Sequence, residues 1–272
     1  EPMLAMTGMF RVLDRASFLA AADEGFDAKV IQWAAWQQIG ARGLLKLALS
    51  AQGERTEIRW RLFDPGTQSQ LSQGRIMRPA EAEAGAAEEI CDAVILRLSG
   101  EPGPFASRIA FVRREGRSKS IWTTASDGSD LRRVTAAGTL NILPAFGAGG
   151  SSVYFTSYAG GRPDLYLTGI NGGPWKPISR RAGLNTGAAL SAGEVQFGGI
   201  THARLLAISL SKDGNSELYL LKPSGAIVAR LTNHWGIDSS PTWSPDGKQI
   251  AFVSNRGGSP QIYAIRLADK VL

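Results

Sequence analysis

Nucleophilic or metal chemistry in this chain would have to be built from two histidines, His202 and His234, and one cysteine, Cys91. A serine or cysteine nucleophile needs a histidine held by a carboxylate. His234 has Asp238 nearby, but both fall in one loop, and no nucleophile-elbow sequence G-x-S-x-G is present. His202 sits beside a loop insertion with no such partner. A single cysteine excludes an intrachain disulfide and a cysteine-cluster zinc site, and two histidines exclude a multi-histidine metal centre. Cys91 lies on an apolar stripe with Ile90 and Val94, which makes it a buried, inert thiol. The pairs Asp127-Gly128, Asp213-Gly214 and Asp246-Gly247 lack the ligand spacing of a calcium loop and read as hairpin turns. No P-loop, zinc-protease or dinucleotide motif occurs. The pairs Arg113-Arg114, Arg132-Arg133 and Arg180-Arg181 read as solvated faces. What remains is a chemistry of contact. Leu140-Asn141, Leu184-Asn185 and His234-Trp235 with Asp238 put apolar residues beside polar ones at three loops, as a protein-binding surface requires. These are the candidate partner-binding residues. No catalytic, cofactor or metal site is expected, and the chain is not expected to be an enzyme.

The loops are placed by an internal repeat. Apolar tetrads begin at Ile109, Val153, Leu206 and Ile250, spaced 44, 53 and 44 residues apart. Second runs at Ile121, Leu165, Leu218 and Ile262 keep the same spacing. Third runs end at Val134-Thr135, Ile178-Ser179 and Leu231-Thr232, and a fourth marker falls at Phe146, Leu190 and Trp243, both spaced 44 and 53. Four short strands in about 44 residues, parted by Asp-Gly and Asn-Gly turns, make one propeller blade. The runs add up to 14 strands, grouped three, four, four and three, or about 3.5 blades. The nine extra residues of the third unit are expected as a long turn around Glu194-Val195-Gln196-Phe197. Strand one of a blade lines the central opening, so the loops leading into it ring that opening. Leu143 and Ile237 are expected to pack between blades. Trp33, Trp36, Trp60 and Trp243 fit core positions; Trp235 does not.

Composition agrees with a folded, turn-rich chain. Of 272 residues, 43% are hydrophobic and 32 are glycine. The net charge of +6 is spread thinly and calls for no nucleic acid. No apolar run approaches the ~20 residues of a membrane span. The first residue is Glu1, and no leader sequence follows, so the chain is read as processed or as a fragment.

Residues 1–100 lack the repeat and alternate helix with strand. Phe10 to Arg15 reads as a short strand and turn. Val30 to Ile39 reads as a short helix stopped by Gly40. Leu44 to Leu49 and Thr56 to Phe63 read as strands, the second with Ile58, Trp60 and Leu62 on one face. Glu81 to Leu98 reads as an amphipathic helix. The fold class is therefore α+β with two domains: a small α/β domain over 1–100, then an incomplete β-propeller over 105–272.

The stretch Pro241-Thr242-Trp243-Ser244-Pro245-Asp246-Gly247, running on through Ile250-Ala251-Phe252-Val253 to Ile262-Tyr263, resembles the propeller repeat of the TolB family. The front third is similar to the domain that precedes it there, through Leu13-Asp14-Arg15, Ala35-Trp36 to Gly40, the paired strands and the closing helix. Arg108-Ile109-Ala110-Phe111 opens the propeller as in the family. A TolB propeller has six blades, so the resemblance covers a protein partial at both ends, with its first strand missing. The resemblance implies a periplasmic scaffold of the Tol-Pal system that binds the peptidoglycan-associated lipoprotein Pal. It also implies roles in outer-membrane integrity, cell division and protein import. Contact with TolA is not expected, because the segment that meets it would precede Glu1. Two rival readings are the propeller of a prolyl-oligopeptidase-type hydrolase without its catalytic domain, and a glycan-binding propeller. The first would need a hydrolase domain of a few hundred residues. The second would need aromatics clustered on one rim, where only Trp235 qualifies.

Overall fold

A computed structural model of the chain describes residues 2–21, 24–79 and 83–269. It divides into two compact units, one of residues 1–107 with 125–127, the other of 108–124 with 128–272.

The first unit runs α1 (Pro2–Met6), α2 (Trp33–Gln38), β1 (Leu44–Gln52), β2 (Arg55–Asp64), β3 (Ser69–Pro79) and α3 (Glu83–Ser99). The three strands form one antiparallel meander in the order β1-β2-β3. Alternation in β2 sends Ile58, Trp60 and Leu62 to one face, where they meet Ile76 of β3 and Ala86, Ile90 and Val94 of α3. Trp60 stands opposite Gly74. A Cβ at Gly74 would lie 2.4 Å from the Trp60 ring, so only glycine fits beneath the indole. On the other face Leu44 and Phe63 meet Ile31 and Trp36. Cys91 is buried beside Ile95 and Phe105, and burial pushes its thiol pKa up.

Three expectations for this unit change. Phe10 to Arg15 is not a strand, because no neighbour pairs with it. Instead Asp14 caps a single 3-10 turn at Arg15–Ser17, accepting from the Ala16 N–H at 2.9 Å. The expected helix from Val30 to Ile39 is interrupted: a 3-10 turn spans Ala28–Val30 and α2 starts only at Trp33. The Glu24 carboxylate accounts for the break by accepting from the Gln32 N–H at 2.5 Å. β3 was not expected, since its sequence is largely Ser, Gln and Arg. Residues 81 and 82, at the start of the expected last helix, lie outside the described residues.

The second unit is four antiparallel sheets in sequence. The first holds β4 (Arg108–Glu115), β5 (Ser118–Ala125) and β6 (Arg132–Arg133). The second holds β7 (Asn141–Phe146), β8 (Ser152–Ser157), β9 (Asp164–Gly169) and β10 (Lys176–Ser179). A third begins with β11 (Asn185–Leu190); then comes a separate hairpin of β12 (Val195–Phe197) and β13 (Ile200–His202). The third sheet resumes with β14 (Leu206–Leu210), β15 (Glu217–Leu221) and β16 (Ile227–Arg230). The last sheet is β17 (Asp238–Trp243), β18 (Gln249–Ser254) and β19 (Gln261–Arg266). This is the grouping of three, four, four and three read from the repeat, an incomplete β-propeller.

Sheets stack face to face, which explains the near-continuous apolar runs of β14 and β15. Leu206, Ile208, Tyr219 and Leu221 meet Tyr154, Leu165 and Ile178 of the second sheet. Ala207, Leu218 and Leu220, on the opposite face, meet Ile250, Phe252 and Ile265 of the last. A strand buried on both faces cannot alternate with polar residues. The insertion is not a plain turn. Gly198 and Gly199 both take positive φ, 61° and 75°, and close a two-residue hairpin between Phe197 and Ile200.

Candidate functional site

Each inner strand, β7, β11 and β17, begins with a residue of the candidate set: Asn141, Asn185 and Asp238. Antiparallel connection puts the loops leading into these strands on one face, together with the loop after the second strand of each sheet. The two kinds of loop are hydrogen-bonded to each other. The Leu140 carbonyl accepts from the Tyr158 N–H at 3.0 Å, and the Leu184 carbonyl accepts from the Ser211 N–H at 3.2 Å. The Ile237 N–H donates to Asn255 Oδ1 at 2.7 Å.

Asn141, Asn185 and Asp238 are buried, so their side chains are not contacts for a partner. This corrects the expectation drawn from their polarity. A polar group taken from water costs free energy unless it is paired inside, and apart from Asn141 Oδ1 and Asp238 Oδ1, which have no hydrogen-bond partner, these side chains are paired. Asn141 Nδ2 donates to Thr135 Oγ1 at 3.3 Å and Thr139 Oγ1 at 2.9 Å. Asn185 Oδ1 accepts from Ser179 Oγ at 2.5 Å, and its Nδ2 donates to the Arg181 carbonyl at 2.8 Å. Asp238 pairs with Arg256 at 2.8 Å. Their backbones tie sheet to sheet: the Asn185 N–H donates to the Pro163 carbonyl at 3.1 Å, and the Asp238 N–H to the Ser216 carbonyl at 2.9 Å. These residues position the loops.

The apolar members of the set are exposed. Trp235 is 71% accessible, and Leu140 and Leu184 are also open to solvent. Trp235 is held out by a fixed loop. The His234 N–H donates to Glu217 Oε1 at 2.7 Å, and Asn215 Nδ2 reaches both the His234 and Gly236 carbonyls at 2.7 Å. Gly236 is required, because a Cβ there would lie 2.9 Å from the Arg256 nitrogen. The imidazole of His234 lies 5.0 Å from the Trp235 ring, and its Nδ1 accepts from the Gly236 N–H at 3.0 Å. With Nδ1 so engaged and Asp238 given to Arg256, no His–Asp pair forms.

Leu143 and Ile237 are not buried between blades: both are exposed, Ile237 on this face with Tyr158, and Leu143 within the inner strand β7. Leu143 is turned outward by a bulge. The inner strands slip register at Ile142/Ala145, Thr186/Ala189 and Ser239/Thr242. At each slip one residue takes positive φ: Leu143 at 54°, Gly187 at 66° and Ser240 at 53°. Tyr158 follows β8, on the loop after a second strand, which shares the face with the lead-in loops.

Electrostatics stiffen the neighbouring loop. Tyr219 donates to Asp213; burial first, and then this bond, push the phenol pKa up to about 12. Lys212 and Tyr219 hold the Asp213 carboxyl below its ordinary range. No cluster of His, Cys, Asp and Glu that could hold a metal occurs among the described residues. No helix among them is long and apolar enough to cross a membrane.

Residues 95–271 match the family model of the TolB beta propeller domain, and residues 3–71 match that of the TolB amino-terminal domain. The Tol-Pal system protein TolB of Desulfosudis oleivorans is 36% identical over 234 residues, covering 86% of this chain and 51% of that protein. A protein TolB homolog of Chlorobium luteolum is 29% identical over 97% of this chain and 58% of its own length. The crystal structure of TolB from Acinetobacter baumannii superposes with a TM-score of 0.76 at 25% identity, covering 92% of this chain and 62% of that one. The chain thus spans little more than half the length of the curated relatives it matches. With one model taking in most of the four sheets and a second most of the front unit, the chain belongs to the TolB family.

Proposed function

We propose that this chain is a periplasmic, non-catalytic scaffold of the Tol-Pal system whose loop face binds the lipoprotein Pal. The carrying observation is the row of exposed apolar residues Leu140, Leu184 and Trp235 on loops pinned by buried Asn141, Asn185 and Asp238. Exposed apolar anchors on a rigid frame lose little entropy on association, which is what protein recognition requires. Naming Pal as the partner rests on likeness to a Tol-Pal system protein, the TolB of Desulfosudis oleivorans. Through Pal the chain supports outer-membrane integrity, cell division and protein import, with 1–100 and 105–272 as its two domains. Scaffold function needs no turnover, in keeping with a His234 whose ring is spent on a turn. The test is calorimetric titration of purified Pal into the chain, beside an assay for peptide and ester hydrolysis. Saturable Pal binding without turnover is expected. Absence of binding, or turnover abolished by a serine-directed inhibitor, overturns the reading.

A further inference from the structure

We propose that the β12–β13 hairpin forms a second docking groove, which takes an extended acidic segment of a partner protein by strand addition to β13. The hairpin lies between the first and second strands of its sheet, and the Lys222–Pro223 turn lies between the third and fourth. Both kinds of turn share the face opposite the loop ring, so the two surfaces can be occupied together. Elsewhere this connection is short, as in the Ser244 to Lys248 turn between β17 and β18.

The hairpin is fixed rather than loose. Val195 and Phe197 are buried in the cluster with Leu205, Leu220 and Ile250. Yet Ile200, at its tip, is 59% exposed. Between β13 and the Lys222–Pro223 turn opens a cavity of about 570 Å³ lined by Ile200, Thr201, His202, Arg204, Lys222 and Pro223 among others. None of the lining residues is acidic. Arg204 Nη1 donates to the Ser191 carbonyl at 2.7 Å and also to the Ala192 carbonyl. Carbonyls orient the guanidinium without neutralising it. Lys222 is exposed and has no carboxylate partner among the described residues.

Among the described residues β13, three residues long, is laddered only to β12, so its other edge is open to a further strand. A free strand edge, an apolar anchor and two uncompensated cations together fit one kind of ligand: an extended chain alternating acidic and apolar side chains. A glycan would want a Trp, Tyr or Phe platform, and the lining has none of these.

The probe is a fluorescein-labelled decapeptide of alternating glutamate and valine, followed by anisotropy at low salt with the full chain. Saturable binding is expected, weakened at least about tenfold by Lys222→Glu and by Ile200→Asp. Trp235→Ala is expected to leave this binding unchanged, which separates the groove from the loop face. Both substituted residues are exposed, so the variants should melt like wild type. If either misfolds, Lys222→Gln and Ile200→Ser carry the same comparison. The proposal is overturned if wild type does not bind, if both variants bind as well as wild type, or if a lysine–valine decapeptide binds equally. It is also overturned if the groove captures phosphatidylglycerol vesicles but not the peptide. A dimer in sedimentation that Lys222→Glu dissolves would make the occupant a second copy and overturn it too.

Discussion

Truncating Trp235 to alanine tests the loop face most directly. A tryptophan offers ~150–250 Å² for burial. With 71% of the residue accessible in the free chain, about 140 Å² is still available to a partner. At ~25 cal/mol per Å² that is worth about 3.5 kcal/mol, an upper figure, because ordering and desolvation costs are charged against it. A net loss of about 2 kcal/mol is the usual measure of a central aromatic anchor and corresponds to roughly thirtyfold in affinity. The loop itself should survive, since its hydrogen bonds come from the His234 backbone, Asn215 and Asn255 rather than from the indole. Stability should therefore change by less than ~0.5 kcal/mol. Calorimetric titration against Pal reads the affinity, and thermal melts by circular dichroism read the fold. Lys248→Ala is the control: its side chain is 78% accessible, and it sits in the turn between β17 and β18, on the opposite face. A Trp235→Ala chain that binds Pal as wild type does, with an unchanged melt, refutes the placement of the anchor.

Other expectations follow from the packing. Gly225→Ala should destabilise the second unit by at least ~3 kcal/mol in urea melts, because a Cβ there would lie 2.0 Å from the Ile178 carbonyl oxygen; a near-neutral result contradicts the stacking. Gly187→Ala should cost ~1 kcal/mol from its φ of 66° alone, since the nearest atom to the new Cβ is 3.6 Å away, whereas Leu143→Gly should be neutral or stabilising. A clear loss in Leu143→Gly would contradict the bulge. Burial works to raise the Glu24 pKa, but bonds from Lys46, the Gln32 N–H and Trp36 outweigh it, and the folded-state value is lowered from 4.5. A depressed acid stabilises above its unfolded pKa, so this contribution should be lost as pH falls below 4.5 through the folded value, with Glu24→Gln insensitive over that range. The indole N–H resonance of Trp36, which donates to Glu24 at 3.0 Å, reports it; no shift of that signal on acidification refutes the coupling. Finally, β4 and β19 are sheet edges with Ile109 and Ile262 exposed, so the 272-residue chain should self-associate as concentration rises. A monodisperse monomer in concentrated sedimentation runs contradicts that.

Sheets were legible in the sequence because a blade is buried on both faces, and apolar tetrads such as Leu206-Ala207-Ile208-Ser209 can only serve that purpose. β3 was illegible because half of its residues face solvent or pack by main chain; Gly74 beneath Trp60 is a packing requirement that no strand propensity records. Gly198-Gly199 was a readable hairpin signal, and alternation in Val195-Gln196-Phe197 pointed the same way. Asn141, Asn185 and Asp238 show a different limit. Polarity alone does not say whether a residue at a loop–strand junction faces a partner or the interior. A hydroxyl residue, Thr135, Ser179 or Thr232, stands six positions before each of them. In the first two sheets concerned, that hydroxyl is the buried partner. The spacing was a signal for burial, available once the repeats were aligned. The same alignment carries one step further. Gly187 marks a left-handed position in its own strand, and equivalence by repeat transfers that backbone to Leu143 and Ser240, which a residue-by-residue reading would leave extended. An exposed leucine held in a conformation costing ~1–2 kcal/mol gains nothing for the fold. Leu143 is the third residue of β7, inside the inner strand rather than on the loops of Leu184 and Trp235, and this makes Leu143→Gly informative twice: stability should hold or rise, while a fall in affinity for Pal would extend the contact surface from the loops into that strand.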